Sequence, residues 1–247
     1  MKKIFGQYLK QIESQYSGDY EMKKQLTIAM GLALAGMGMS GVAAAEDKIM
    51  GLEFSANVAL TSNYVFRGIS ESDEHASISG GFDAAHSSGL YAGVWGASVE
   101  GYSDASMELD YYIGWGGDVG PVGLDVGYLR YTYPGENPGT SDTDEFHIGV
   151  SGDVGPVSLG LTYNYSDDFY SAGDNDYWDL GAEMPIGSFT LAAHAGSTDR
   201  DDGTEYEDYS IGISTEAGGF GFDLTFTDTD GLANDEDYAI FTISKSL

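Results

Sequence analysis

The residues most able to do chemistry in this sequence are carboxylates that alternate with apolar residues along extended segments. In residues 122–128, for example, Asp125 stands two positions from a glycine on each side, while Val122, Leu124 and Val126 take every second position. Alternation with a period of two places the acids on one face of a β-strand and the apolar residues on the other. The acids predicted to share such polar faces are Glu53, Asp83, Glu108, Asp110, Asp125, Asp179, Glu183 and Asp223.

These acids have a specific consequence if the polar faces enclose a lumen. A ring of carboxylates favours cations and disfavours anions in a pore; a solvated acidic surface is the competing interpretation. Arg67 is one of the few basic residues, and we predict that it lines the same lumen. It is expected either to pair with an acid such as Asp110 or Asp125, or to cap the first loop at an interface. Arg130 is predicted to snorkel at a rim.

Catalytic and metal chemistry have little support in the sequence. The chain has no cysteine, which excludes disulfides, thiol catalysis and cysteine-bound zinc. The four histidines are His75, His86, His147 and His194. Their spacing assigns no nucleophile to them, and the acidic runs in the loops, such as residues 199–203, lack the spacing of an EF-hand. We predict no catalytic residue, no metal ligand and no cofactor.

The overall charge restricts the partners. Forty acidic residues against ten basic residues give a formal net charge of −30. Binding to nucleic acid requires a basic surface, so nucleic acid is excluded as a partner.

The N-terminal segment is predicted to be an export signal. Lys23 and Lys24 form a short basic region, residues 26–39 are apolar, and residues 43–45 are three alanines that suit cleavage after Ala45. The apolar stretch is too short for an ordinary spanning helix. Residues 1–21 precede a complete signal with its own methionine, so they are interpreted as a start codon assigned too early or as an extended n-region. Residues 22–45 are then the signal peptide and residues 46–247 a single domain.

The mature chain contains about twelve alternating segments of roughly ten residues, the length of a tilted membrane-spanning strand. Five short turns alternate with six longer loops, near residues 69–75, 100–106, 134–143, 167–175, 198–206 and 228–236. This alternation is typical of an up-and-down barrel with an even number of strands and both termini at the short-turn end. The orientation of residues 90–99 stays open, because Trp95 and Val94 do not fall on one parity. A soluble β-sandwich is the competing fold.

Aromatic residues favour the membrane interpretation. They gather at strand ends next to the long loops, as an interfacial girdle requires. The predicted members are Tyr128, Tyr131, Tyr133, Tyr163, Tyr165, Tyr177 and Trp178. In lipid, only a closed sheet satisfies every backbone group of a β-structure, so these strands are expected to close into a barrel.

Three segments carry a resemblance to a known family. They are Ser-Asn-Tyr-Val-Phe-Arg-Gly-Ile-Ser at residues 62–70, Gly-Leu-Tyr-Ala-Gly-Val-Trp-Gly at 89–96 and Ile-Ser-Lys-Ser-Leu at 243–247. The chain resembles the Gcw_chp family, also described as TorF-family porins, over its whole mature length. The resemblance implies an outer-membrane barrel and a pore-forming role for the family.

We therefore predict an all-β protein, an antiparallel up-and-down transmembrane β-barrel of about 12 strands preceded by a signal-peptide helix. The predicted function is a porin-like channel in the outer membrane of a Gram-negative bacterium. Small cations or polar solutes are expected to diffuse passively through its acidic lumen. The expected partners are outer-membrane lipid, these solutes and the barrel-assembly machinery.

The state of the lumen is left open by the sequence. Twelve strands lie between eight-strand barrels filled by side chains and wide sixteen-strand porins, so a narrow or plugged lumen is compatible with the pattern. The alternative function is a non-conducting structural or surface-interaction barrel that acts through acidic extracellular loops. The oligomeric state is not predicted.

Overall fold

The chain forms a β-barrel in the computed structural model, which describes residues 51–101, 104–136, 141–233 and 236–247. The strands are β1 (Leu52–Thr61), β2 (Val65–Phe66), β3 (Ile69–Ser70), β4 (Ser77–His86), β5 (Leu90–Ser98), β6 (Met107–Val119), β7 (Val122–Thr132), β8 (Thr143–Val154), β9 (Val157–Ser166), β10 (Asn175–Ile186), β11 (Phe189–Arg200), β12 (Glu205–Ala217), β13 (Phe220–Asp230) and β14 (Asp237–Ser246). A short 3-10 helix, Phe169–Ser171, lies between β9 and β10.

Twelve of these strands close into one antiparallel sheet, and β2 and β3 form a separate two-stranded hairpin. Each long strand pairs with the next along the chain, and β1 completes the barrel by pairing with β14 on one side and β4 on the other. This closure confirms the predicted up-and-down barrel. It leaves no open sheet edge, so each wall strand finds backbone partners on both sides.

The two ends of the barrel differ as predicted. Tight turns join the strands at one end, where glycines such as Gly120 and Gly155 take positive φ angles of 65° and 64°. Positive φ is required by the tight turns that suit the twist of a hairpin. The longer connections lie at the other end. Two of them are shorter than expected, because the ladder of β11 continues to Arg200 and that of β13 to Asp230.

Outward-facing and inward-facing side chains alternate along every strand of the barrel wall. The outward face is apolar and exposed, whereas the inward face is small, polar or buried. Among the most exposed apolar side chains of the outward face are Phe82, Val154, Ile211, Ile78, Ile113, Phe146, Leu60, Ile148 and Phe226. Such a continuous apolar surface on a closed barrel is the lipid-facing band of a transmembrane β-barrel.

The structure settles the orientation of β5, which the sequence left open. Tyr91 and Trp95 point inward and are buried, whereas Leu90 is exposed on the outward face. The aromatic residues therefore do not all serve the lipid interface. Both aromatic residues of β5 face the lumen.

The prediction of the aromatic girdle was partly wrong for the same reason. Tyr128, Tyr163, Tyr165 and Trp178 lie on the outward face near the long loops, and the Tyr163 and Trp178 rings are 4.8 Å apart. In contrast, Tyr131, Tyr133 and Tyr177 are buried inside the barrel. Tyr131 is three positions from Tyr128, and an odd separation places two strand residues on opposite faces.

The predicted signal peptide, residues 22–45, and the segment before it lie outside the described residues. Among the residues that the structure describes, no helix has the length and apolar character needed to cross a membrane. The boundary between residues 45 and 46 stays a prediction.

Candidate functional site

A short hairpin enters the barrel directly after β1. Residues 63–72, named here the lumen hairpin, contain β2 and β3 and pack against inward-facing side chains. The Tyr64 ring meets the Trp95 ring of β5 edge to face at 5.6 Å, and the Phe66 ring lies 5.7 Å from the Tyr131 ring of β7. The barrel's buried hydrophobic core is therefore inside the lumen, between the hairpin and one wall.

The base of the hairpin is fixed by its own polar residues. The hydroxyls of Ser70 and Ser72 donate to Asn63 Oδ1 at 2.7 Å and 3.0 Å. The Tyr64 N–H donates to the Ser72 hydroxyl at 2.9 Å. Buried polar atoms need such partners, so the base of the hairpin is held by hydrogen bonds between its own residues.

The tip of the hairpin explains the Phe-Arg-Gly-Ile sequence. Arg67 and Gly68 are the two turn residues, with φ angles of 48° and 81°, which fit a type I′ turn. A β-carbon on Gly68 would lie 2.3 Å from Thr229 Cγ2 and 2.9 Å from Asp208 Cβ. These neighbours are on β13 and β12, whereas the aromatic rings of the hairpin pack on β5 and β7, so the hairpin lies across the lumen between these two parts of the wall.

Arg67 anchors the hairpin to β8. Its guanidinium Nη2 donates to Glu145 Oε1 at 2.9 Å and to Oε2 at 2.7 Å, and both side chains are buried. The guanidinium carbon also lies 4.0 Å from the Tyr177 ring centre and 5.3 Å from that of Phe169. Aromatic faces attract a cation. Arg67 thus lies inside the lumen, but the two partners suggested for it, Asp110 and Asp125, were wrong, since the carboxylate that holds it is Glu145.

Sequence reasoning missed Glu145 because the alternation of β8 was followed only from Phe146 onward. The strand begins three residues earlier, at Thr143. Extending the inward parity of His147 back by two positions places Glu145 in the lumen, and this signal was available in the sequence.

Asp125 lies in a small polar cluster on the wall. Its Oδ1 contacts His147 Nε2 and accepts a hydrogen bond from the Tyr91 hydroxyl at 3.0 Å. Asp125 is 0% exposed. Three strands, β5, β7 and β8, supply these side chains, so the predicted lumen acid is held by a histidine and a tyrosine and not by Arg67.

A second cluster is built around His194 of β11. His194 Nε2 lies 3.5 Å from Asp179 Oδ2, and its Nδ1 lies 3.4 Å from Asp208 Oδ1. The Tyr177 hydroxyl is 3.1 Å from His194 Nε2. Asp179 was a predicted lumen residue, whereas Asp208 was not, because the alternation of β12 was followed only from Tyr209.

Glu108 and Asp110 lie on β6 beside the lumen hairpin, and each is 1% exposed. Both oxygens of Asp110 and Oε2 of Glu108 have no hydrogen-bond partner among the described residues. Glu108 is close enough to Glu71 of the hairpin for their charges to repel, and Asp110 interacts in the same way with Glu108 and Glu145. This group is the most crowded set of acids in the lumen.

The remaining predicted acids are separate from these clusters. Asp83 accepts a hydrogen bond from the Tyr112 hydroxyl. Glu53, Glu183 and Asp223 lie toward the short-turn end of their strands, where Glu183 is exposed and the other two are half-buried. All eight predicted acids occupy inward positions, and five of them are buried, namely Asp83, Glu108, Asp110, Asp125 and Asp179.

Inward glycines make room for the aromatic side chains of neighbouring strands. A β-carbon on Gly93 would lie 2.4 Å from the Tyr112 ring, and one on Gly114 would lie 2.3 Å from the Tyr91 ring. The rings therefore lie flat against the backbone of the adjacent strand, an arrangement known to support glycines in sheets. Their hydroxyls reach Asp83 and Asp125 without projecting far into the lumen.

Arg130 lies on the outward face near the long loops, as the rim prediction requires. Its Nη1 donates to Asp144 Oδ1 at 2.8 Å, and its Nη2 lies 3.2 Å from Asp142 Oδ2. The pair is partly exposed, which is the usual position of a long basic side chain at a polar boundary.

The loops carry exposed acids with local partners. The Thr204 N–H donates to Asp202 at 2.9 Å, and this hydrogen bond lowers the pKa of the Asp202 carboxyl. At the barrel mouth, three ligand atoms lie within 4.8 Å of one another, one each from Asp73, His75 and Glu100. These residues are exposed, and exposed acidic groups of this kind are common in proteins without a metal.

The closed twelve-strand sheet, its apolar outer band and its polar interior define the chain as a transmembrane β-barrel with the fold of outer-membrane porins. The chain belongs to the Gcw_chp family, described as a bacterial protein of unknown function, whose model matches residues 45–245. The resemblance found in the sequence is thereby confirmed.

Two solved porins show the same fold. The KdgM porin is similar with a TM-score of 0.56 at 4% identity, covering 78% of this chain and 97% of that chain. The NanC porin has a TM-score of 0.52 at 9% identity, covering 77% of this chain and 97% of that chain. At such identities the likeness concerns the fold. No curated protein sequence matches the chain.

Proposed function

We propose that the protein is an outer-membrane channel through which small cations or polar solutes diffuse passively. The observation that carries this proposal is the inward face of the barrel, where acids greatly outnumber bases. Among the described residues, Arg67 and Arg200 are the arginines on inward positions, and Arg67 is already paired with Glu145. The excess of carboxylates makes the lumen negative, which favours cations over anions.

The lumen hairpin sets the size of the passage in this proposal. It lies across the lumen between the wall at β5 and β7, where its aromatic rings pack, and the wall at β12 and β13, where Gly68 is close to Thr229 and Asp208. A solute must pass between the hairpin and the wall, near the enclosed acids Glu108 and Asp110. We therefore expect a low conductance for a twelve-strand barrel and exclusion of bulky solutes.

Location and export form part of the same proposal. The apolar outer band requires lipid, and the porin-like fold supports the outer membrane of a Gram-negative bacterium as its place. Residues 22–45 are proposed to direct export, with insertion by the barrel-assembly machinery. The channel is proposed to have no enzymatic activity.

The packed hairpin also favours a second candidate function. A buried cluster inside the barrel contains Tyr64, Trp95, Leu129 and Tyr131. Such packing is expected if the lumen is sealed. In that case the protein is a structural or surface-interaction barrel that acts through its acidic loops.

Conductance in a planar bilayer separates the two functions. The mature protein, residues 46–247, is refolded in detergent, its folding is verified by a heat-dependent change in gel mobility, and it is inserted into the bilayer. Discrete current steps support the channel. Silence at all voltages from folded protein contradicts it and favours the sealed barrel.

A further inference from the structure

We propose that Glu108 and Asp110 bind a divalent metal cation, Mg²⁺ or Ca²⁺, between the barrel wall and the lumen hairpin. The two residues are neighbours on the inward face of β6, two positions apart in the strand. Both side chains are almost wholly enclosed. The inference concerns binding and does not depend on whether ions pass through the barrel.

The first argument is the balance of charge around the pair. Glu71 of the lumen hairpin lies close to Glu108, and Glu145 lies close to Asp110. Arg67 is the cation in this region, and both hydrogen bonds of its Nη2 go to Glu145. The carboxylate of Asp110 and Oε2 of Glu108 therefore have no basic partner among the described residues, in an enclosed place. Burying such charge without a counter-ion costs several kcal/mol per ion, on the order of the effective penalties seen in proteins.

The second argument is the set of atoms that have no partner. Oδ1 and Oδ2 of Asp110 and Oε2 of Glu108 are buried without a hydrogen-bond partner among the described residues. Side chains of this kind are hydrogen-bonded, protonated or bound to metal in native proteins. Three free carboxylate oxygens on two adjacent inward residues offer the hard ligands that Mg²⁺ and Ca²⁺ prefer.

The donor set fits a cation that keeps part of its water shell. Mg²⁺ is often held by one or two carboxylates and several waters, and Ca²⁺ also accepts water among its ligands. No cysteine or histidine takes part in this group, which disfavours softer transition metals. The exposed group of Asp73, His75 and Glu100 is a separate feature at the mouth and provides a control.

The position of the site gives it a structural effect. Glu71 belongs to the hairpin, where its N–H donates to the Tyr64 carbonyl at 2.7 Å, whereas Glu108 and Asp110 belong to the wall. A cation between them offsets the repulsion between hairpin and wall. Bound metal is therefore expected to stabilise the hairpin in its position inside the lumen.

Terbium luminescence tests the site directly. Tb³⁺ binds oxygen ligands, and it emits when an adjacent aromatic ring absorbs the exciting light. Trp95 is the strand partner of Asp110 and is well placed as the donor. We expect the folded barrel in detergent to give saturable emission that Ca²⁺ displaces, and we expect Asp110→Asn and Glu108→Gln each to lower it by at least tenfold. Asp73→Asn is the matched control and should leave it unchanged.

Thermal stability provides a readout that does not depend on terbium. Neutralising an unpaired buried charge should raise the melting temperature of Asp110→Asn above that of the unaltered protein in the presence of a chelator. Added Mg²⁺ or Ca²⁺ should raise the melting temperature of the unaltered protein and leave that of Asp110→Asn almost unchanged, since a ligand stabilises only the state it binds.

Two results would overturn the inference. Emission that survives in both Asp110→Asn and Glu108→Gln, or that is lost only in Asp73→Asn, assigns the metal to another place. A melting temperature that is insensitive to both cations shows that neither binds to the folded barrel, and it refutes the metal site. A barrel that conducts but fails these tests refutes the metal site alone, and a silent barrel that passes them refutes the channel alone.

Discussion

Arg67 in the lumen hairpin and Glu145 on β8 are 78 positions apart in the chain and form a buried ion pair, with Arg67 Nη2 2.7 Å from Glu145 Oε2. The Tyr131 hydroxyl donates to Glu145 Oε1 at 3.1 Å and supports the acid from the wall. The pair joins the first loop of the barrel to its middle strands. It therefore accounts for the position of the hairpin inside the lumen and not above it.

Breaking this pair should release the hairpin. Arg67→Gln leaves Glu145 buried without its cation, and loss of one partner of a buried pair costs about 3–5 kcal/mol. Urea unfolding of the barrel in lipid vesicles should show a loss of this order, and the conductance should rise.

The double variant Arg67→Gln/Glu145→Gln provides the control for that prediction. It removes both charges, so it should be more stable than Arg67→Gln alone. Together with Glu145→Gln, the variants form a double-mutant cycle that gives the coupling energy between the two side chains. Equal stability of the single and double variants would show that the two side chains do not interact.

The tip of the hairpin should not tolerate a side chain. In Gly68→Ala the new methyl group would lie 2.3 Å from Thr229 Cγ2, so the tip must move away from β12 and β13 and the single-channel conductance should increase. Gly203→Ala is the matched control, because Gly203 has a similar φ of 87° but nothing within 4 Å of its β-carbon position. If both variants conduct alike, the contact at the tip does not limit the passage.

The flat packing of inward tyrosines on glycines predicts a difference between two glycine positions in the wall. Gly114→Ala would place a methyl group 2.3 Å from the Tyr91 ring and displace the hydroxyl that donates to Asp125, with a cost of about 1–3 kcal/mol for an overpacked site. Gly181→Ala has open space around it and should be nearly neutral. Urea unfolding of both variants compares them, and a smaller loss for Gly114→Ala than for Gly181→Ala would contradict the packing.

The assignment of aromatic residues to inside and outside can be tested with brominated lipid, which quenches tryptophan fluorescence by contact. Trp178 is half-exposed on the outward face and Trp95 is buried in the lumen. Variants that keep a single tryptophan should show strong quenching for Trp178 and weak quenching for Trp95. Strong quenching of Trp95 would reverse the orientation of β5.

The strand pattern of this chain could be predicted because lipid on one side and a polar interior on the other impose a strict period of two. Asp125 and Asp223 could be placed on the inward face by counting along their strands. The same alternation places Glu145 on the inward face, but this can be predicted only if β8 is known to begin at Thr143. Strand ends are set by how far the ladder continues, and that depends on the neighbouring strand.

The hairpin could not be predicted by parity. A loop was expected near residues 69–75 and no strand was predicted in residues 63–72, since two-residue strands are too short to show alternation. The partner of Arg67 depends on which walls the hairpin reaches, and this follows from the closure of the barrel, a contact between strands far apart in sequence. Parity places Tyr131 on the inward face, but the packing of Tyr131 against Phe66 and of Tyr133 against Tyr170 depends on this long-range contact.

The selectivity of the current tests the central claim most directly. With a KCl gradient across a planar bilayer, the reversal potential of the unaltered protein should have the sign of cation preference. It should move toward zero in the variant Glu53→Gln/Glu183→Gln/Asp223→Asn, which neutralises the less enclosed lumen acids and leaves the hairpin contacts intact. A reversal potential with the sign of anion preference, or one that the triple variant does not change, would contradict an acidic lumen as the origin of selectivity.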